Sequence, residues 1–437
     1  MNHYDDQAIF EYLDGTSEMA EEIERHAAAC ESCAAEIEEC REMIHGLVND
    51  AIWERSRDPR FRSDLTDFLL LLQYEDDAAP ALCDEILDRP LPWRLQHVRK
   101  RVGTRTAGIV KELLERMRTT LERSPTAALQ MTGLAIELAG TLDPEAYPPA
   151  VHMFRLAAAL RCHGYALAFT GNYRDGLAFA DRAKALLDEE DAPGCPDYEL
   201  ARLAMVRAAC LQYVGRAPEA AQLLRDAAET FRRYGDREWS VKARISEGTA
   251  LYAMGEVAQA LETWRSVEGA PELDELETIR VTHNIALGLC DHGEAEAAIA
   301  SAGRCVADFE RLGRTTERTR SRTVLGRALL AAGRADEAIP ILRQARQEYL
   351  ELEMVVEAGL SALELAEGLL VTHQTEEVPA LCREVIAQLT QAGMGQQAAV
   401  ALGYLQEALA LRNVTPLLIH NVGQSLRNHC VGQPRGQ

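Results

Sequence analysis

Aromatic residues are scarce in this chain, at 5% of 437 positions. With Ala and Leu abundant, what remains suits helix packed on helix. Disorder is excluded by a 47% share of hydrophobic residues with only 29 Gly and 16 Pro. No apolar run reaches the ~18 residues that mark a transmembrane helix. The first residues, MNHYDDQ, are acidic rather than basic, so no secretory leader is expected and the chain is expected in the cytoplasm. Positive charge is deficient too. The 46 Lys and Arg against 69 Asp and Glu leave a net charge of −23, which opposes polyanions. Nucleic acid is therefore not an expected direct partner, and a basic protein is a better one.

Catalytic patterns are equally lacking. There is no G-x4-G-K-[ST] phosphate loop, no G-x-G-x-x-G, no H-E-x-x-H and no G-x-S-x-G. His163, His283 and His292 occur singly on helical patterns, where a satisfied core or surface histidine is expected. The chain is not expected to be an enzyme. Its eleven cysteines are scattered, and Cys162, Cys210, Cys290, Cys305 and Cys382 fall at packing positions, as small buried thiols of a reducing compartment do.

What is present is a repeat, clearest at residues 326–345, GRALLAAGRADEAIPILRQA. Turn glycines at Gly171, Gly215, Gly255, Gly293 and Gly333 set its phase. Seven residues before each stands a small residue: Gly164, Ala208, Gly248, Ala286, Gly326. Five after stands another: Gly176, Ala220, Ala260, Ala298, Ala338. Twelve after come Ala183, Ala227, Val267, Cys305 and Ala345. Small residues in phase let successive helices cross closely and stack into a solenoid. In this the chain resembles the tetratricopeptide repeat family over roughly residues 155–395. The phrases FRRYGD and FERLGR close repeats, with looser counterparts near Tyr349 and Leu389. The phase is expected to fail at His373, where THQTEEV replaces the usual turn.

The sharpest chemical signal lies near the start, in HAAACESC: His26, Cys30 and Cys33. His-x3-Cys places imidazole and thiolate one helical turn apart, and Cys-x2-Cys brings a second thiolate round at a helix start. One nitrogen and two sulfurs favour tetrahedral Zn2+. A fourth ligand is needed. His3 is the first candidate, with Cys40 and His45 behind it; Cys40 lies about 10 Å beyond Cys33 along a straight helix.

The block EYLDGTSEMAEEIERHAAACESCAAEIEE resembles the zinc-binding anti-sigma domain, in which an upstream ligand and a helical hairpin precede His-x3-Cys-x2-Cys. The resemblance covers roughly residues 1–50. It implies His3, His26, Cys30 and Cys33 as zinc ligands. It also implies a protein partner, a sigma factor of the extracytoplasmic-function type, whose polymerase-binding surfaces the module would hide. Members of that family often continue into a membrane span, whereas a repeat pattern follows here.

The expected fold is all-α: a short zinc-binding helical module followed by an α-solenoid. Ser17 is expected to start the helix leading to His26, and residues 34–53 to form a further helix. The expected divisions are the module at 1–53, a charged linker at 54–63 broken by Pro59, degenerate helical repeats at 64–150, the solenoid at 151–395, and capping helices with a tail at 396–437. Phe68 to Leu72, five apolar residues in a row, are expected to be buried on several sides. Arg94, Arg99, Lys100, Arg101 and Arg105 form a basic cluster expected on a solvated face. Pro144, Pro148 and Pro149 are expected to break the chain before the regular array. Six arginines between Arg311 and Arg327 could line a groove for an acidic peptide or face solvent. The function expected is an anti-sigma regulator. The alternative is a scaffold whose solenoid holds a peptide or an effector, such as a protease or its substrate, with the zinc purely structural.

Overall fold

The computed structural model describes residues 9, 12, 13, 19–28, 30, 33, 34, 37, 59–121, 123–188, 196–391 and 396–430. Among them every regular element is helical. The chain divides into two compact units, residues 1–78 and 79–437, and each is built around its own apolar contacts.

In the first unit, α1 (Ala20–Ala27) begins directly after Met19; the expected start at Ser17 lies outside the described residues. Its Ile23 and Ile9 are fully buried and Ile37 nearly so, and Tyr12, Leu13 and Ala27 pack around them. Tyr12 donates a 3.1 Å hydrogen bond to Glu24. Next comes α2 (Pro59–Leu87), whose residues from Ala79 on count with the second unit. The expected linker is corrected here. Residues 59–63 are helical, because proline at a first helical position has a preset φ and lacks only an N–H that would have no partner there; residues 54–58 lie outside the described residues. The run at 68–72 also departs from expectation. Leu69, Leu70, Leu71 and Tyr74 are exposed, at 55, 58, 38 and 73%, while Phe68 and Leu72 are half-buried. Residues four apart share one face of a helix, so this helix buries one stripe of the run and not its whole girth.

The second unit continues through α3 (Leu91–Lys100) and a 3-10 turn, Val102–Thr104, into α4 (Ala107–Thr120) and α5 (Pro125–Ala139). Then follow six pairs. They are α6 (Pro149–Phe169) with α7 (Tyr173–Leu187), α8 (Asp197–Tyr213) with α9 (Ala217–Arg233), and α10 (Arg237–Ala253) with α11 (Val257–Arg265). Next come α12 (Glu275–His292) with α13 (Ala295–Arg311), α14 (Thr315–Ala331) with α15 (Ala335–Glu351), and α16 (Val355–Val371) with α17 (Val378–Gln391). Two last helices, α18 (Gln396–Ala410) and α19 (Pro416–Cys430), close the unit. Starts are fixed by local chemistry: Thr106, Ser124 and Asp236 each accept a backbone N–H from the first turn that follows, and Asp274 with Glu277 forms a capping box.

From α4 on, each helix packs on its neighbours in sequence, and the first helices of successive pairs also touch one another, from α4 through α6, α8, α10, α12 and α14 to α16. One continuous layer results. It runs straight past the proline stretch expected to break it, because α5 packs on α6 and the Tyr147 hydroxyl accepts the Ala107 N–H at 3.2 Å. All five turn glycines have positive φ, between 73° and 89°. His373 takes the same left-handed place at φ 60°, so the phase expected to fail there is kept. At the crossings Ala208, Ala220, Ala260, Ala286, Ala298 and Ala338 are fully buried.

Candidate metal centre

The geometry of the cysteine motif follows from how α1 ends. His26 lies in its last turn. The chain then leaves the helix, with Ala28 N–H still bonded to Glu24 and Cys30 N–H to Ala27 at 3.4 Å. Cys30 carbonyl accepts Ala34 N–H at 3.0 Å, which opens a new helical turn carrying Cys33. Two thiols thus stand at the start of a helical turn, where the backbone N–H groups favour negative charge.

The donor atoms of His26, Cys30 and Cys33 all lie within 4.8 Å of one another. In a tetrahedral site with Zn–S of 2.3 Å and Zn–N of 2.0 Å, donor atoms would stand about 3.5–3.8 Å apart, so the trio fits an ion of that kind with small adjustments. Cys33 is buried, at 1% exposed, and His26 and Cys30 are half-buried, which leaves one side of the trio facing outward. The same two segments deliver Ile23 and Ile37 into the small core, so the packing helps to hold the trio together. His3, Cys40 and His45 lie outside the described residues.

Residues flagged elsewhere have local partners. His163 Nδ1 is 2.7 Å from the Thr132 hydroxyl, and His283 Nδ1 is 2.9 Å from that of Ser321. Burial pushes His283 down to about 4. His292 meets Glu294 at 3.2 Å. Cys162, Cys210, Cys305 and Cys382 are buried in the helix packing, and burial raises the Cys305 thiol to about 12, far from a reactive thiolate. In the basic cluster, Arg94 donates to the Leu87 and Arg89 carbonyls at 2.7 and 2.9 Å, Arg99 pairs with Glu137 at 3.0 Å, and Arg101 with Glu85 at 2.5 Å.

Five of the six arginines in the run pair with carboxylates on neighbouring helices. Arg311 pairs with Glu275, Arg318 and Arg322 with Glu348, Arg320 with Glu357, and Arg327 with Asp291 and Glu364. Sequence reasoning missed Glu364, which is 4% exposed. Its signal was an acid inside the apolar stretch AGLSALELAEGLL.

No protein-family model matches the chain, and no curated protein is significantly similar to it. Solved structures are similar. A signal transduction ATPase with numerous domains from Pyrococcus horikoshii, bearing a tetratricopeptide repeat sensor, aligns over 81% of this chain and 52% of its own, with 12% identity and a TM-score of 0.53. RapI in its apo form aligns over 62% of this chain and 97% of its own at 14% identity and TM-score 0.49. The apo quorum sensor NprR from B. thuringiensis aligns over 72% and 99% at 13% identity and TM-score 0.47. The fold is an all-helical, tetratricopeptide-like solenoid.

Proposed function

We propose that the chain is a regulatory binding protein, in which the repeat array engages a protein or peptide partner and the N-terminal module, folded around Zn2+, sequesters a sigma factor of the extracytoplasmic-function type. The observation that carries the reading is the convergence of His26, Cys30 and Cys33 within 4.8 Å in a module ahead of a long helical array.

His26 would present an imidazole nitrogen from the end of α1, and Cys30 and Cys33 their thiolates from the turn that follows. His3 completes the proposed set. Bound zinc supplies a structural crosslink. The need for one is physical, because three buried isoleucines contribute only about 1.5–3 kcal/mol each, and small modules need a staple. Inhibition is then occlusion: a sigma factor held by the module cannot also grip polymerase.

The test is affinity capture from the source cells of the intact chain and of a Cys30→Ser/Cys33→Ser variant, with mass spectrometry and zinc analysis. About one zinc per intact chain, with a sigma factor that the variant loses, supports the proposal. The same non-sigma partner on both versions would replace it with a second reading, an adaptor whose array holds a peptide or an effector such as a protease. That reading draws on the array forming a compact unit of its own.

A further inference from the structure

Between α12, α14, α16 and α19 lies a cavity of ≈ 210 Å³ whose lining is mostly ionic: Asp291, Arg327, Glu364, Glu367, His420 and Arg427. Its internal bonds can be counted. Arg427 donates to Glu364 Oε1 at 3.0 Å, and Arg327 reaches the same oxygen at 3.4 Å while also holding Asp291. Asp291 takes the Tyr252 hydroxyl as well. His420 Nδ1 stands 3.3 Å from both oxygens of Glu367. Both arginines meet Glu364 through one oxygen. Glu364 Oε2 is buried and has no hydrogen-bond partner.

Three carboxylates, Asp291, Glu364 and Glu367, face two guanidiniums and one imidazole, and Glu364 is short of one donor. Burial holds the Glu364 carboxyl above its ordinary range although Arg327 and Arg427 pull it down. A buried acceptor without a donor is costly, so a charged donor that reaches Glu364 Oε2 as the lining adjusts around it removes that cost. Size narrows the choice. The cavity is smaller than the ~300–1,000 Å³ of sites that enclose drug-sized molecules, yet several times the ~30 Å³ share of one water. It suits a single side-chain head. A planar guanidinium can bond Glu364 and Glu367 together, which a point-like ammonium does less well.

We propose that this cavity is a binding site for a guanidinium head, an arginine side chain of the partner protein, seated between Glu364 and Glu367 beneath α19. The inference rests on the reading of the chain as a protein-binding regulator and names the chemistry of one contact. The net charge of −23 draws basic partners toward it.

The experiment titrates the full chain by calorimetry at low salt with N-acetyl-arginine amide, with its neutral isostere N-acetyl-citrulline amide, and with agmatine. One-to-one, saturable binding of the arginine amide is expected, at least about tenfold tighter than the citrulline amide. Glu364→Gln should weaken it about tenfold. Because Glu364 also ties helices together, a second variant is needed: Ala331→Trp, at an exposed residue of the cavity lining, should abolish binding with the melting curve unchanged. Equal binding of the citrulline amide, no saturable binding, or full binding by both variants overturns the site. Tighter binding of agmatine overturns its assignment to a protein side chain. If the intact chain carries zinc and captures a sigma factor while no arginine probe binds, this inference alone falls; if the probe binds and no protein is captured, the proposed function falls and the site stands.

Discussion

Gly248, on α10, shows what one residue decides. A Cβ there would come within 2.4 Å of the Trp264 indole nitrogen, and Trp264 is 1% exposed with its N–H bonded to the Ile245 carbonyl at 3.1 Å. The ring has no free direction in which to retreat. Gly248→Ala should therefore destabilise the chain by about 1–3 kcal/mol, overpacking outweighing the ~1 kcal/mol that alanine gains over glycine in a helix. At Gly133 an added Cβ meets nothing within 4 Å, so Gly133→Ala should raise stability by up to about 1 kcal/mol. Opposite shifts in thermal melting check the pair.

His283 supports a residue-scale statement about pH. Burial and Arg320 lower it to about 4, against a smaller upward pull from Glu317. The folded state thus keeps it neutral where the unfolded chain, with a pKa near 6.5, already binds a proton. Stability from this group is complete above ~6.5 and is lost as pH falls toward 4, by on the order of 1–3 kcal/mol. His283→Gln, which can keep the bond to Ser321, should flatten that part of the stability profile.

At the scale of elements, polar bonds cross from one repeat to the next at a spacing near the repeat length. Arg161 holds Glu199 at 2.6 Å, Tyr198 holds Asp236 at 2.5 Å, and Arg280 holds Glu317 at 2.9 Å. They set the rotation between neighbours that apolar packing alone leaves loose. Helix α19 is tied to α16 by Arg427 to Glu364 and by His420 to Glu367. Arg427→Ala should cost about 1–3 kcal/mol, less than a fully buried pair because Arg427 is partly exposed and Arg327 remains. Its mark is local: hydrogen exchange should quicken in α18 and α19 and stay unchanged in α6 to α10.

For the whole molecule, the array is a line of nearest-neighbour contacts, so its ends matter. The last core gathers Leu363, Leu369, Val385 and Leu389 with Leu405, Ile419, Val422 and Leu426. Ending the chain after Gln391 removes the last four of these. Such a truncation should aggregate at concentrations where the full chain elutes as one species in size-exclusion chromatography.

The repeat was legible in the sequence because close crossing admits only small residues and a left-handed turn favours glycine, as at Gly164, Ala286 and Gly333. His373 escaped it, since the turn geometry is imposed by flanking helices strongly enough to hold a non-glycine residue at positive φ. The convergence of His26, Cys30 and Cys33 was legible as a candidate site because they are neighbours in sequence, and one helix end suffices to gather them. What the arginines do was not. Arg327 meets Asp291 36 residues before it and Glu364 on the next repeat, so a run that could have lined a groove or faced solvent is paired across repeats. Sequence by itself determined the helices, their phase and the metal-type spacing, which are local properties. Tertiary structure alone decided which charges cancel and that Glu364 is left one donor short, because electrostatic balance depends on distances between repeats.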